Sequence, residues 1–275
     1  MAVEYEKYLR MDKFPHYWCP GCGNGVVLKA FIQAVDELGW SNNDIGMVTG
    51  IGCSSRASGY VDFNTMHTIH GRALAVATGI KMSNPDKHVV VIAGDGDASA
   101  IGGNHLIHAC RRNIDITLII INNWIYGMTG GQYSPTTPTG SIAATMPYGN
   151  ADPDFDLVNL TIGAGATFVA RSSVAEPVML KNYIKKALAH KGFSVIDAFS
   201  NCHIQWGRKN RFGDPVKLVK HIKSVTVSSA KAKRMNPDEL KGLFVTGILY
   251  ENNEKKEYTE SYFDMVKRAQ AKGGK

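Results

Sequence analysis

Two apolar runs of this 275-residue chain each end in a short polar motif, and this pattern constrains the fold more than any other feature. Residues 89–92 (Val-Val-Val-Ile) lead into Gly94-Asp95-Gly96-Asp97, and residues 117–121 (Thr-Leu-Ile-Ile-Ile) lead into Asn122-Asn123. Continuous apolar runs of this length are typical of strands buried on both faces of a parallel sheet. Because open parallel sheets bind ligands at the carboxyl ends of their strands, we expect both motifs at one ligand site.

The side chains of these two motifs suit a magnesium ion beside a phosphate group. Mg2+ takes an octahedron of oxygen donors, often a carboxylate completed by phosphates and water, and Asp95 and the Asn123 amide are donors of that kind. Gly94 and Gly96 let the backbone come close to the phosphates. A chance turn beside an asparagine-rich loop is the alternative. With its spacing and flanking strands, the pair resembles the signature of thiamine-diphosphate enzymes, which implies Mg2+ ligation by Asp95, Asn123 and the Ile125 carbonyl.

The five cysteines indicate a second cofactor. Residues 1–13 are polar and charged, and no run of eighteen apolar residues occurs, so we expect no signal peptide, no membrane span and a cytoplasmic location. In a reducing cytosol, Cys19-Pro20-Gly21-Cys22 indicates a metal or redox site before a structural disulfide. Cys53 and Cys202 each follow a predicted strand, so we expect both at the edge of the sheet that carries the diphosphate site. Cys110 lies in a predicted helix, where a thiol usually fills the core.

Four thiolates suit an iron-sulfur cube, because each corner iron takes one. Structural zinc is one alternative, since four-cysteine zinc sites begin with the same spacing, although their second pair is normally another Cys-x-x-Cys nearby. A dithiol or non-ligand role is the other. The zinc alternative predicts a structural or binding subunit, and the non-ligand alternative predicts half of a thiamine-dependent decarboxylase or lyase.

The order of the motifs along the chain is more specific than either site alone. Together they resemble the β subunit of a 2-oxoacid:ferredoxin oxidoreductase over about residues 14–205. The motifs are CPGCG at 19–23, IGCSSR at 51–56, HGRA at 70–73, then GDGD and NN. The resemblance implies one 4Fe-4S cluster close to the thiamine diphosphate, with the ligands Cys19, Cys22, Cys53 and Cys202.

The family resemblance also implies an activity and partners. A thiazolium ring stabilises the acyl carbanion left by decarboxylation, a nearby cluster removes its electrons singly, and coenzyme A takes the acyl group. This implies CoA-dependent oxidative decarboxylation of a 2-oxoacid with electrons passed to ferredoxin, or the reverse reductive carboxylation. It further implies an α subunit that brings the catalytic glutamate and the pyrimidine half of the site, in a heterodimer or a dimer of heterodimers. We find no second α/β domain in this sequence, so we expect the isolated chain to be catalytically silent.

The same resemblance implies a set of cofactor contacts. They are Cys53, Ser54, Ser55, His70, Gly94, Asp95, Gly96, Asp97, Asn123, Tyr126, Gly127, Met128 and Thr129. His70 and, through the substrate carboxylate, Arg56 are the expected catalytic residues. A structural role is the alternative for His70. Asp97 either hydrogen-bonds near the diphosphate or caps the helix that starts at Ala98. In the turn after the asparagines, backbone amides and the Thr129 hydroxyl are expected to hold the diphosphate, and Met128 either contacts it or only packs.

Arg56 bears on the choice of substrate. A guanidinium can bind the second carboxylate of a dicarboxylic 2-oxoacid in a bidentate manner, and in related β subunits a basic residue at this place is associated with carboxylate recognition. We therefore favour 2-oxoglutarate, converted to succinyl-CoA, over pyruvate and branched-chain 2-oxoacids. A surface arginine without a ligand is the alternative.

Apolar strands alternate with amphipathic helices up to about residue 206, which predicts an α/β fold with a mostly parallel sheet and helices on both faces. Helices are predicted near 24–39, 68–83, 99–112, 154–161 and 176–190, and strands near 45–49, 88–93, 116–121, 166–170 and 193–198. Residues 124–153, rich in proline and glycine, predict a long loop over the cofactor. We expect residues 1–206 to form the cofactor-binding domain, in the diphosphate-binding half of the thiamine-diphosphate-binding fold. Residues 207–275 are expected to form an extension that packs on a partner and frays from Lys272 onward.

Charge is unevenly distributed along the chain. Residues 1–180 carry 11 basic and 15 acidic side chains, whereas residues 181–275 carry 20 and 9. A basic end can steer an acidic electron carrier such as ferredoxin, seat the α subunit, or be a solvated face. No recognisable nucleic-acid-binding module accompanies these residues, so we do not expect nucleic-acid binding.

Overall fold

An eight-stranded sheet forms the centre of the molecule in the computed structural model, which describes residues 3–273. The strands are β1 Ile45–Thr49, β2 Asn64–His67, β3 His88–Gly94, β4 Thr117–Asn122, β5 Phe168–Ser173, β6 Ser194–Phe199, β7 Thr226–Ser228 and β8 Phe244–Glu251. Their order is β2-β1-β3-β4-β6-β5-β8-β7. All neighbouring pairs are parallel except β5 and β8. The predicted mostly parallel sheet is confirmed.

Nine α-helices lie in the described part of the chain. They are α1 Asn24–Glu37, α2 Ala57–Tyr60, α3 Ala73–Ser83, α4 Gly103–Arg112, α5 Leu157–Ala164, α6 Pro177–Ala189, α7 Pro215–Ser224, α8 Ser229–Ala232 and α9 Tyr258–Gly273. Short π-helical turns cover Asp97–Ile101 and His203–Gly207. The five predicted helices exist, but α3 begins at residue 73 rather than 68, and the predicted helix near 99–112 is a π-turn followed by α4.

Helices cover both faces of the sheet, as predicted, because successive side chains of the central strands point to opposite faces. On one face, Val90 and Ile92 of β3 pack in a core that includes α1 and α6. On the other face, Val89 and Val91 pack in a core that includes α3, α4 and α5. Cys110 is fully buried in this second core, where it fills space as predicted. Burial on both faces explains why the strands have continuous apolar sequences.

The segment predicted as a C-terminal extension adds strands to the same sheet. β8 pairs antiparallel with β5, and β7 pairs parallel with β8. Contact of residues 207–275 with a partner remains a prediction. α9 continues to Gly273, so the backbone of 272 and 273 is helical, and residues 274–275 lie outside the described residues. Fraying from Lys272 onward stays a prediction.

The long predicted loop is present between β4 and α5. Between Asn122 and Leu157 the chain forms only isolated bridges, Tyr126 with Gln132 and Ala143 with Met146. The loop is anchored by a small third core whose buried members are Trp124, Ile125, Ala143, Phe199, Trp206, Leu218 and Ile222. Of the helices between residues 3 and 273, none has the length and hydrophobicity needed to cross a membrane.

Candidate functional site

The predicted diphosphate and metal residues line one cleft at the carboxyl ends of β1, β3 and β4. Its lining residues are Ile51, Gly52, Cys53, Ser54, His70, Gly94, Asp95, Gly96, Asp97, Asn123, Ile125, Tyr126, Gly127, Met128 and Thr129. The sheet order brings these segments together, because β1, β3 and β4 are neighbours. Among the predicted cofactor contacts, Ser55 does not line the cleft; it is fully buried, and its carbonyl accepts a hydrogen bond from Ser58.

Asp95 is a buried carboxylate held by two hydroxyl groups. Its Oδ2 accepts hydrogen bonds from Ser134 at 2.5 Å and from Thr136 at 2.8 Å, and its Oδ1 accepts a long one from the Asn123 backbone N–H at 3.4 Å. Burial raises the pKa of Asp95 to about 6, although the hydroxyl donors act in the opposite direction. A nearby cation would favour the charged form further. Sequence reasoning missed Ser134 and Thr136, which lie in the long loop.

The turn after β4 carries the other predicted magnesium ligands. Asn123 Oδ1 accepts the Ile125 backbone N–H at 3.3 Å, which directs both residues toward the cleft that they line. Trp124, between them, has a positive φ of 63°, which is strained for a bulky side chain. Its carbonyl accepts the Thr137 hydroxyl, and its buried ring packs in the third core. The carboxylate, amide and carbonyl are the oxygen donors that suit Mg2+.

Gly96 allows Tyr126 to cover the glycine turn. A Cβ atom at Gly96 would lie 2.3 Å from the Tyr126 ring, closer than any real contact. The Tyr126 hydroxyl donates to the Gly96 carbonyl at 3.0 Å. Burial, with the charges of Asp95 and Asp97, raises the pKa of Tyr126 to about 12, so the hydroxyl stays a donor. Glycine at position 96 therefore lets the Tyr126 ring lie directly against the turn.

Asp97 binds the turn before α3 rather than the end of its own helix. Its Oδ1 accepts hydrogen bonds from the His70 ring Nδ1 at 2.5 Å, the Gly71 backbone N–H at 2.8 Å and the Ile51 backbone N–H at 3.3 Å. Gly96, not Asp97, precedes the first helical residue, and no side chain caps this turn. The alternative of Asp97 as the helix N-cap is wrong, because its carboxylate is used by these three donors instead.

A second pocket of about 280 Å³ adjoins the cleft and contains all four predicted cluster ligands. Its lining residues are Tyr17, Trp18, Cys19, Cys22, Cys53, Arg56, Asn123, Gly127, Met128, Asn201, Cys202, His203, Ile204 and Gln205. Four of these, Cys53, Asn123, Gly127 and Met128, also line the cleft. A Cβ atom at Gly127 would lie 3.3 Å from Cys202 Sγ and 3.8 Å from Cys53 Sγ. Glycine at this position therefore keeps the wall between the two sites thin.

The Cys19–Cys22 segment is a tight turn, as its sequence requires. The Cys22 backbone N–H bonds to the Cys19 carbonyl at 2.9 Å, and Gly21 has a φ of +83°, which suits glycine at the third position of a type II turn. Trp18 Nε1 donates to the Cys53 carbonyl at 2.7 Å, and Asn201 Nδ2 donates to the Gly21 carbonyl at 2.8 Å. These two bonds join the three segments that carry the cysteines, and sequence reasoning missed both donors.

Burial raises the pKa of three of the four thiols, to about 12 for Cys22 and in the same direction for Cys53 and Cys202. Backbone N–H groups oppose this effect at Cys22 and at Cys202, where the donors are Gln205 and Trp206. Such donors stabilise thiolates, which are the form that binds iron. No group of three or more His, Cys, Asp or Glu side chains between residues 3 and 273 is close enough to hold one metal ion.

Arg56 lies at the cysteine pocket and not in the diphosphate cleft. It is exposed, and its charge lowers the pKa of Cys53, against the larger effect of burial. Met128, half exposed, lines both pockets. Thr129 is exposed, and its hydroxyl donates to Gln132 at 2.6 Å. A bond from Thr129 to a diphosphate would have to replace this local one.

An ion-pair network around the buried Arg171 lies behind the cleft. Arg171 on β5 bonds to Asp197 on β6 at 2.8 Å and to Asp156 at 2.5 Å. Asp197 accepts from the Asn122 amide at 3.0 Å, and Asn122 Oδ1 lies 3.1 Å from the Thr136 hydroxyl that donates to Asp95. Asn122, the first residue of the NN motif, is therefore structural. The sequence contains a signal for this ion pair. Arg171 and Asp197 are charged residues within the apolar strands β5 and β6, and a buried charge requires a partner.

The chain is similar to known proteins both in its central part and over most of its length. A family model for the C-terminal, TPP-binding domain of thiamine pyrophosphate enzymes matches residues 44–198. The 2-oxoglutarate synthase subunit KorB of Methanothermobacter marburgensis is 53% identical over 243 residues, which are 88% of this chain and 85% of that protein. The subunit KorB of Methanocaldococcus jannaschii is 49% identical over 262 residues, which are 95% and 97% of the two chains.

Two further matches come from the wider family and from solved structures. The 2-oxoacid:ferredoxin oxidoreductase subunit beta of Saccharolobus solfataricus is 44% identical over 187 residues, which are 67% of this chain and 61% of that protein. The structure of 2-oxoglutarate:ferredoxin oxidoreductase from Magnetococcus marinus, with 2-oxoglutarate, coenzyme A and succinyl-CoA bound, has a TM-score of 0.86 and 32% identity. The match covers 98% of this chain and 91% of that one.

Proposed function

The chain belongs to the β subunits of the 2-oxoacid:ferredoxin oxidoreductases, and we propose that it binds thiamine diphosphate, Mg2+ and one 4Fe-4S cluster in an enzyme that converts 2-oxoglutarate to succinyl-CoA. The observation that carries this proposal is the common wall of the two pockets. Cys53, Asn123, Gly127 and Met128 line both, so a group in the cleft and a group among the cysteines would be neighbours. An acyl-oxidising site requires that arrangement.

The residues of the cleft fit the diphosphate end of the cofactor. Asp95, Asn123 and the Ile125 carbonyl would hold Mg2+, while the backbone from Gly94 to Gly96 would approach the phosphates. When bound, thiamine diphosphate supplies a thiazolium that stabilises the acyl carbanion, and a cluster supplies a one-electron acceptor. The chain's own part is to hold both groups with only a thin wall at Gly127 between them.

The cysteine pocket fits a cluster through its donors. Cys19, Cys22, Cys53 and Cys202 surround it, and backbone N–H groups at two of them favour thiolates. Oxidation of one 2-oxoglutarate with coenzyme A would release CO2 and reduce two ferredoxins by one electron each. The reverse reductive carboxylation would use the same residues, so the potential of the electron carrier would set the direction.

An α subunit is the expected partner, since the relatives are subunits of a larger enzyme. It would supply the glutamate that activates the aminopyrimidine, and the cleft of this chain would be completed in the assembly. The basic segment 181–275 offers a surface for an acidic ferredoxin. Choice of 2-oxoglutarate is supported by the names of the relatives and by Arg56 at the edge of the cysteine pocket.

The test is an anaerobic visible spectrum of the purified α/β complex, with iron and sulfide analysis, before and after addition of 2-oxoglutarate and coenzyme A. Broad absorbance near ~400 nm with about four irons per β chain, bleached by substrate, is expected. A colourless protein that carries zinc would overturn the oxidoreductase assignment. Release of an aldehyde without bleaching would instead favour a non-oxidative decarboxylase. The β chain alone should show no turnover.

A further inference from the structure

The Asp97 carboxylate is fixed by the protein before any ligand enters the cleft. It is 3% exposed, and its Oδ1 accepts from three donors that come from two different segments, residue 51 and residues 70–71. Its Oδ2 is buried without a hydrogen-bond partner among the described residues. A carboxylate with three donors on one oxygen cannot turn to a new ligand without losing them.

Gly50 holds Asp97 from the other side. A Cβ atom on Gly50 would lie 2.0 Å from Asp97 Oδ2, so only glycine leaves room for the carboxylate here. Gly50 follows β1 and Asp97 follows β3, and these strands are neighbours in the sheet. The position of Asp97 is therefore set by the sheet itself.

His70 is the exposed polar side chain of this cluster at the cleft, since 35% of its side chain is exposed against 2% for Asp97. Its ring packs edge to face against Tyr126 at 5.7 Å, and it lines the cleft with Gly94, Asp95 and Gly96. The ring Nδ1 is taken by Asp97, which leaves Nε2 as the polar atom available to a ligand. A carboxylate partner on one nitrogen of an imidazole decides which nitrogen carries the proton and how the ring is turned.

We propose that Asp97 is a positioning residue: it fixes the His70 imidazole with Nδ1 as the donor to its carboxylate, and thereby presents Nε2 to the diphosphate end of the cleft. Asp97 then acts on the cofactor through His70 and not by contact. Only the identity of the ligand, a diphosphate, rests on the proposed function. The fixed tautomer is a property of this chain alone.

The first test reads the tautomer without cofactor. In the full chain labelled with ¹⁵N-histidine, the Nδ1 of His70, assigned from its loss in His70→Ala, should carry a proton at neutral pH. Asp97→Ala should shift the ring to the form in which Nε2 carries it. Gly50→Ala, which keeps the carboxylate but displaces it, should shift the ring in the same direction. An unprotonated Nδ1 in the unaltered protein would overturn the proposal.

The second test separates positioning from direct contact. Thiamine diphosphate affinity is measured by calorimetry on the α/β complex freed of cofactor. Asp97→Ala and His70→Ala should each weaken binding by about tenfold, and the double variant by the same amount rather than a hundredfold. Additive losses would contradict the proposal, since Asp97 would then act without His70.

Two controls keep these outcomes distinct. A Cβ atom on Gly103 in α4 would have nothing within 4 Å. Gly103→Ala should therefore leave the thiamine diphosphate affinity and the His70 tautomer unchanged, which controls for nonspecific effects of an alanine substitution. If the unaltered complex fails to bind thiamine diphosphate, the proposed function fails, and the tautomer experiment still decides the role of Asp97. Should Asp97→Ala not fold, the same cycle is measured with Gly50→Ala, His70→Ala and the variant that carries both substitutions.

Discussion

The Ser134 hydroxyl donates a 2.5 Å hydrogen bond to Oδ2 of Asp95, a residue 39 positions earlier in the chain. With Thr136, which donates to the same oxygen at 2.8 Å, it favours the ionised carboxylate that burial disfavours. The long loop thus completes the site that β3 begins.

Ser134→Ala should weaken Mg2+-dependent binding of thiamine diphosphate by roughly 10- to 100-fold, because the carboxylate loses a donor that orients it. The measurement is a cofactor titration of the α/β complex at several Mg2+ concentrations. Thr139→Ala is the matched control, since the Thr139 hydroxyl lies in the same loop but donates to the Asp152 carbonyl. Equal losses in both variants would mean that the loop as a whole, and not the bond to Asp95, supports binding.

Gly96→Ala should abolish thiamine diphosphate binding while the protein still folds. The added methyl would overlap the Tyr126 ring, which must then move into the cleft and lose its bond to the Gly96 carbonyl. Gly103→Ala makes the same chemical change where nothing lies within 4 Å, and there it should stabilise the fold slightly through helix propensity. Binding and thermal unfolding measured together distinguish the two. Retained binding in Gly96→Ala would show that Tyr126 can move without cost.

The sequence predicted the parts of the site that regular elements carry. β3 and β4 are buried on both faces, so their apolar runs were unmistakable, and the motifs at their ends had to meet at one edge. The role of Asp97 was not predictable in this way. Its donors at residues 51 and 70–71 become neighbours only when β1 and β3 pair. The two predicted roles, a hydrogen bond near the diphosphate and a helix cap, did not include these donors.

Hydrophobic periodicity could not predict the contacts of the long loop or the C-terminal strands. Ser134 and Thr136 lie in a segment without regular structure, whose path is set by the packing of Trp124 and Ile125 in the third core. β8 was missed because only Thr246 and Gly247 of its eight residues are buried and because it pairs antiparallel with β5. Such a strand has no continuous apolar run.

Asp115→Asn should destabilise the fold near pH 7 by about 3 kcal/mol, because it leaves Lys81 buried beside an uncharged group. Burial alone would raise the pKa of Asp115, but Lys81 at 2.7 Å, with Lys191 and the Gly192 N–H, lowers it below its ordinary value. A pKa depressed in the folded state contributes stability above the unfolded value near ~3.9, and this is lost as the pH falls through the folded pKa.

Urea unfolding of the unaltered protein and of Asp115→Asn at pH 7, 5 and 3.5 measures this pH dependence. The difference in unfolding free energy should be constant from pH 7 to 5 and should shrink below about pH 4. Asp238→Asn, which breaks an exposed pair with Lys241, should change little at any pH. A difference that grows on acidification would contradict the depressed pKa of Asp115.

Cys202→Ala should remove iron from the α/β complex and leave thiamine diphosphate binding in place, since Cys202 lines the cysteine pocket but not the cleft. The control is Cys110→Ala: that thiol is fully buried in the core between α4 and the sheet, so its loss should cost some stability but no iron. Iron analysis and thiamine diphosphate titration of both variants test whether Cys202 is a cluster ligand. Full iron content in Cys202→Ala would remove this residue from the ligand set.

Arg56→Ala should raise the KM for 2-oxoglutarate by about 10- to 100-fold and leave the KM for 2-oxobutyrate nearly unchanged, because only the first substrate has a second carboxylate for the guanidinium to bind. Arg56 also lies close enough to Cys53 to lower the pKa of that thiol, so its removal can alter the cluster environment as well. An effect on the cluster would change kcat for both substrates together, whereas loss of carboxylate binding changes KM for one. Arg56→Lys keeps the charge near Cys53 but not the bidentate fork, so it should restore kcat and only part of the affinity. Equal changes in KM for the two substrates would rule out carboxylate recognition by Arg56, and a lower kcat for both substrates would assign its effect to the cluster.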